Sequence, residues 1–153
     1  MDISVMISEV KFNYRVGAIL KHKDKILIET SDSVNYSVIP GGRVKLLEDT
    51  KYALNREIEE ELGIDISKCE SKLISVVENF FKVGEVQYHE LYFIYKVELD
   101  DDVMIEDGMV NLDSYGSKYY WKSLDELKKV KMLPQELKEI ATLDEFKKFV
   151  VRD

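Results

Sequence analysis

Glu57, Glu60 and Glu61 stand at i, i+3 and i+4 in the run Arg56-Glu57-Ile58-Glu59-Glu60-Glu61-Leu62. On a helix, at about 100° per residue, they fall within one arc of roughly 100°, beside an apolar stripe of Leu54, Ile58 and Leu62. Like charges at this spacing repel one another by a few tenths of a kcal/mol per pair. A hard divalent cation offsets that repulsion, because Mg²⁺ and Mn²⁺ prefer carboxylate oxygens, keep several waters and bridge to substrate phosphate oxygens. The spacing therefore reads as a metal site. The competing reading is a solvated acidic helix, and Glu59, which points off the arc, is expected to face water in either case.

The helix that must carry these residues begins after Glu48 and contains no Gly or Pro as far as Leu62. Asp49 or Thr50 supplies the N-cap and Gly63 the left-handed stop. Pro40-Gly41-Gly42 breaks regular structure and delivers the chain to this helix. Upstream, residues 3–7 and 36–39 read as short strands, and residues 14–20 and 25–29 read as a hairpin. Downstream, residues 72–81 and 86–97 form a long antiparallel hairpin. Alternation places His89, Leu91, Phe93, Tyr95 and Val97 on one face of its second strand, with Tyr88, Glu90, Tyr92, Ile94 and Lys96 on the other.

Glu90 is thus a carboxylate among aromatic residues, open to three roles: further metal ligand, proton acceptor or cross-strand ion pair. Phe80, Phe81, Tyr88 and Tyr92 can stack on a base, although an aromatic sheet face also accounts for them. Arg43 and Lys45 lie near the glycine loop, where they can meet phosphate or remain solvated. Residues 99–113 are strongly acidic with little periodicity and read as a mobile loop that holds Glu106. A strand over 118–122 follows, with Ser123 and Glu126 as the capping box of the next helix. Pro134 fits the first turn of another helix running through Leu143, and Thr142 with Glu145 would cap a final short helix containing Phe146, Phe149 and Val150.

The whole segment from Gly42 to Ile64 resembles the signature of the Nudix hydrolases: Gly, five residues, Glu, seven residues, Arg-Glu, an aliphatic, any residue, Glu-Glu, any residue, Gly, an aliphatic. Gly42, Glu48, Arg56, Glu57, Ile58, Glu60, Glu61, Gly63 and Ile64 occupy every specified position. The resemblance implies an α/β fold, a mixed sheet in an α/β/α sandwich, spanning residues 1–153 as one domain. It implies Mg²⁺ or Mn²⁺ held by Glu57, Glu60, Glu61 and the backbone carbonyl of Gly42. It also implies that Glu48 and Arg56 pair to fix the loop against the helix, where the guanidinium fork matches a carboxylate as Lys would not. Glu57, or an outside carboxylate such as Glu90 or Glu106, would accept the proton, and Arg43, Phe81 and Tyr88 would meet the substrate. The implied reaction is cleavage of a diphosphate linkage in a nucleoside diphosphate joined to another group, as in ADP-ribose, a nucleotide sugar or a nucleoside triphosphate. Two alternatives differ in class: a nucleotide-binding regulator on the same scaffold, and an interaction module docking through its acidic helix.

Composition narrows the partners. A formal net charge of -8 argues against generic binding to nucleic acid backbones. A single cysteine, Cys69, cannot form an internal disulfide, and no signal-like or membrane-spanning apolar run is present, so a cytoplasmic location is expected. A homodimer is compatible with the sequence.

Overall fold

Alternating apolar residues in the three longest extended runs build the centre of the molecule. The computed structural model describes residues 1–153. In chain order the strands and helices are β1 (Ser4–Ile7), β2 (Val10–His22), β3 (Lys25–Ser31), β4 (Ser37–Val38), β5 (Gly41–Arg43), α1 (Thr50–Leu62), β6 (Glu70–Val83), β7 (Val86–Glu98), β8 (Met109–Val110), β9 (Ser117–Ser123), α2 (Leu124–Lys128), α3 (Leu137–Ile140) and β10 (Lys147–Arg152). All strands join one sheet, in the order β10-β6-β7-β2-β3-β9-β8, with β1 and β5 against β2 and β4 against β3. The sheet is mixed, because β2 pairs with β7, and β10 with β6, in parallel, while the remaining ladders are antiparallel.

Each face of the sheet carries its own core. Val16, Ala18, Leu20 and Leu27 pack against Ala53, Leu54, Ile58 and Leu62 of α1. Ile19, Ile26, Tyr92 and Ile94 face the other way, against Leu127, Leu137 and Ile140 of α2 and α3. The result is the expected α/β/α sandwich. β2 lies alongside β5 at residues 15–17 but alongside β3 only at residues 21–22, so the sheet is split between β5 and β3. The candidate site lies at this split.

The helix read from the acidic run has the expected ends. Asp49 caps α1 by accepting a 2.8 Å hydrogen bond from the Tyr52 amide, and Gly63 closes it in a left-handed conformation at φ 70°. The capping box of Ser123 and Glu126 opens α2, also as expected. Two expectations at the C-terminus fail. The helix beginning near Pro134 is confined to α3, one turn long, and the final helix is instead the edge strand β10. Its Lys-Lys-Phe-Val-Val-Arg sequence places Phe149 and Val151 on one side, against the second core, and the open edge of β6 supplies a parallel partner for its backbone.

Candidate active site

Arg56 organises the carboxylates of α1. Its Nε and Nη2 donate to Glu48 Oε1 and Oε2 at 2.9 and 3.1 Å, the two-bond fork expected for this pair. Nη1 donates to Glu57 Oε1 at 3.0 Å and to Glu60 Oε2 at 3.3 Å, and Nη2 also reaches the Arg43 carbonyl at 3.1 Å. One guanidinium therefore ties the glycine loop, the loop carboxylate and two helix carboxylates together. Arg56→Lys keeps the charge but cannot make these contacts at once, so activity and melting temperature should fall together. A fall in activity with an unchanged melt would place Arg56 on the substrate instead.

Gly42 packs directly on this array. A Cβ at this position would come within 2.3 Å of Glu57 Cδ, so any side chain would push the Glu57 carboxylate aside. Gly42→Ala is expected to cost about 10²-fold in activity, the scale associated with a 1 Å misplacement at a reacting centre, with little change in melting temperature because the displaced atoms end a flexible side chain. Unchanged activity would show that the Glu57 position is not critical.

The group of carboxylates that converges is Glu57, Glu60 and Asp113, whose nearest oxygens all lie within 4.8 Å of one another. Three hard oxygen donors at this separation suit a divalent cation. Asp113 was not anticipated; the residues expected from outside the helix were Glu90 and Glu106. Neither joins the group. Glu106 is exposed at the turn into β8. Strand alternation turns Glu90 to the sheet face opposite α1, where it is buried and accepts hydrogen bonds from Asn13 Nδ2 at 3.1 Å and Asn79 Nδ2 at 3.5 Å.

Asp113 is carried by a segment that is anchored rather than mobile. Asn111 is buried, and its Nδ2 donates to both Glu29 Oε2 at 3.1 Å and Glu61 Oε2 at 3.0 Å. Its Oδ1 accepts from the Asp113 amide at 2.8 Å, and the Leu112 amide bonds the Glu61 carbonyl at 2.9 Å. The only local signal for this turn is the Asn-x-Asp spacing, which favours an Asx-turn.

Glu61, also expected as a ligand, is not part of that group of three. It is buried, accepts the Gly41 amide at 3.1 Å and shares Asn111 with Glu29. Burial first, then the charges of Glu29 and Glu57, push its carboxyl up to about 8, against the two donors that favour the charged form. Burial likewise raises Glu29 and Glu57. From the ordinary value of 4.5 to about 8 the folded, cation-free protein therefore binds more protons than the unfolded chain, so its stability falls as pH rises through that window. Melting temperatures of cation-free protein should decline from about pH 5 to about pH 8, and Glu61→Gln, which carries no titrating proton, should flatten the decline. The same slope in both proteins would remove Glu61 as its source.

Of the residues expected to meet substrate, Phe81 and Tyr88 stack on each other, with ring centroids 4.9 Å apart and 11° between planes. Tyr88 shares the sheet face of Glu90, and Arg43 lies on β5 directly opposite Arg15 of β2.

Comparison with known proteins places the chain in a class. The model of the NUDIX domain family matches residues 11–143, and the chain belongs to that family. It is 29% identical over 120 residues to an 8-oxo-dGTP diphosphatase of Buchnera aphidicola subsp. Schizaphis graminum, an alignment covering 76% of this chain and 80% of that protein. Among solved structures, the mutator MutT protein of Bacillus halodurans superposes with a TM-score of 0.71 at 20% identity, covering 89% of this chain and 86% of its own. The Ap4A hydrolase of C. elegans superposes at 0.60 and 19% identity, covering 84% and 92%. The chain is thus a Nudix pyrophosphohydrolase. No helix is long and apolar enough to cross a membrane.

Proposed function

We propose that this protein hydrolyses, with Mg²⁺ or Mn²⁺, the diphosphate linkage of a nucleoside diphosphate joined to another group. Nucleoside triphosphates are the first substrates to test, since the relative sharing 29% identity is by name an 8-oxo-dGTP diphosphatase. The observation that carries the reading is the convergence of Asp113 with Glu57 and Glu60 of α1, their oxygens within 4.8 Å, where α1 lies inside the complete family signature from Gly42 to Ile64.

Glu57, Glu60 and Asp113 would hold the cation. When bound, it would neutralise charge on the phosphate oxygens and make the attacking water more acidic. Arg56 fixes Glu57 and Glu60 so that neither must reorganise during the reaction. Glu57 Oε1 is engaged by Arg56, which leaves Oε2 to face the cation and its water, and Glu57 is the proposed proton acceptor. Glu61, bonded to Gly41 and Asn111, locks the glycine loop and the Asp113 segment to α1. Gly42 leaves the space that Glu57 needs, and its carbonyl is the proposed backbone ligand.

Pyrophosphate release from ordinary and oxidised nucleoside triphosphates, and phosphate freed by a phosphatase added afterwards from the phosphomonoester products of ADP-ribose, nucleotide sugars and dinucleoside polyphosphates, test this reading. Release with Mg²⁺ or Mn²⁺, abolished by chelation, is expected; no release from any member with either cation would contradict it.

A further inference from the structure

Arg56 and Arg15 both adjoin Arg43 of β5, one by bonding its carbonyl and the other by standing opposite it in the ladder, but their bonding differs sharply. Arg56 is saturated by Glu48, Glu57, Glu60 and the Arg43 carbonyl. Arg15 is not. Its Nε is buried without a hydrogen-bond partner. Its nearest carboxylate contact, Nη1 to Glu90 Oε2, is 3.8 Å long, an ion pair beyond hydrogen-bond length. Its guanidinium carbon lies 5.4 Å from the centre of the Tyr92 ring. Although Nε is buried, the side chain as a whole is about one-third exposed, at 34%, so part of it faces solvent.

Position gives those donors a target. Arg15 is directly opposite Arg43 in the β2–β5 ladder, so the two side chains leave the same face. The neighbouring residues of β5 touch the carboxylates themselves: Gly42 packs on Glu57 and the Gly41 amide bonds Glu61. The charges of Glu57 and Glu61 also act on Arg15. A guanidinium with free donors, beside carboxylates suited to a cation, matches a phosphate whose other oxygens face that cation.

We propose that Arg15 binds a phosphate group of the substrate beside the Glu57–Glu60–Asp113 cluster, and that Glu90 is the positioning residue that holds Arg15 there. Glu90 is itself fixed by Asn13 and Asn79, and Asn13 in turn accepts from Ser4 Oγ at 2.6 Å, so the guanidinium is backed by a connected polar chain reaching β1. This accounts for a buried carboxylate that stands outside the cation cluster. It also distinguishes two arginines of similar setting: Arg56 organises protein groups and Arg15 receives the ligand. The identity of the phosphate compound rests on the hydrolase reading, whereas anion binding at Arg15 does not.

The test is calorimetric titration with inorganic pyrophosphate at saturating Mg²⁺, which requires no turnover. Arg15→Ala should weaken binding about 10- to 100-fold, the scale of a lost hydrogen bond to a charged group, and guanidinium ion in the buffer should recover part of the loss. Arg15→Lys should recover less than the native fork provides. Glu90→Gln should weaken binding several-fold in the wild-type background and add nothing to Arg15→Ala. Should Arg15→Ala fail to fold because Glu90 is left unpaired, the Arg15→Ala/Glu90→Gln double variant removes both charges and serves in its place. Wild-type affinity in a folded Arg15→Ala or double variant overturns the proposal, as does a wild-type protein that does not bind pyrophosphate. If Arg15 variants lose pyrophosphate while no substrate in the panel is hydrolysed, the anion site stands and the hydrolase reading fails.

Discussion

Glu60→Gln should lower turnover by about 10²-fold or more while leaving the melting temperature nearly unchanged. The amide keeps the shape of the side chain but removes a ligand charge, and a hard divalent cation discriminates strongly between the two. The fold should tolerate the change because Glu60 is exposed, unlike the buried Glu61. Its bond to Arg56 is the longest of that guanidinium's helix contacts, at 3.3 Å, and Arg56 retains Glu48 and Glu57 without it. Near-normal turnover in Glu60→Gln would refute the cation assignment.

A second large effect is expected at Asp113. Asp113→Asn should reduce turnover by about 10²-fold, whereas Glu106→Gln should change it little, since only Asp113 converges with Glu57 and Glu60. Asn111→Ala should reproduce part of this loss through the loop: it removes the side chain that bonds Glu29, Glu61 and the Asp113 amide and leaves the buried Glu61 and the half-buried Glu29 without that donor. Steady-state rates at saturating Mg²⁺ separate these outcomes. A large effect at Glu106 with none at Asp113 would mean that the acidic loop closes differently when substrate is bound.

The sequence is most legible where the determinants are local. The ends of α1 follow from Asp49 and Gly63, and the Glu48–Arg56 pair lies within two turns of one helix and its approach. The long hairpin of β6 and β7, and the faces of its second strand, follow from alternation. The determinants that escaped are long-range. Asp113 is delivered because Asn111 meets Glu61, 50 residues away, and Glu29, 82 residues away, and no periodicity encodes those contacts. Phe146, Phe149 and Val150 have helical spacing, yet the edge of β6, reached only in the folded chain, captures residues 147–152 as a strand. Glu90 was correctly assigned to a face, but Asn13, Asn79 and Arg15, which define its surroundings, come from β6 and β2.

The central claim is that Glu57, Glu60 and Asp113 form one cation site, and Mn²⁺ titration followed by electron paramagnetic resonance tests it without reference to any substrate. The wild-type protein should bind Mn²⁺, with Glu60→Gln and Asp113→Asn each weakening it and the Glu57→Gln/Glu60→Gln/Asp113→Asn triple variant failing to bind while remaining folded. Wild-type Mn²⁺ affinity in the folded triple variant would contradict the account.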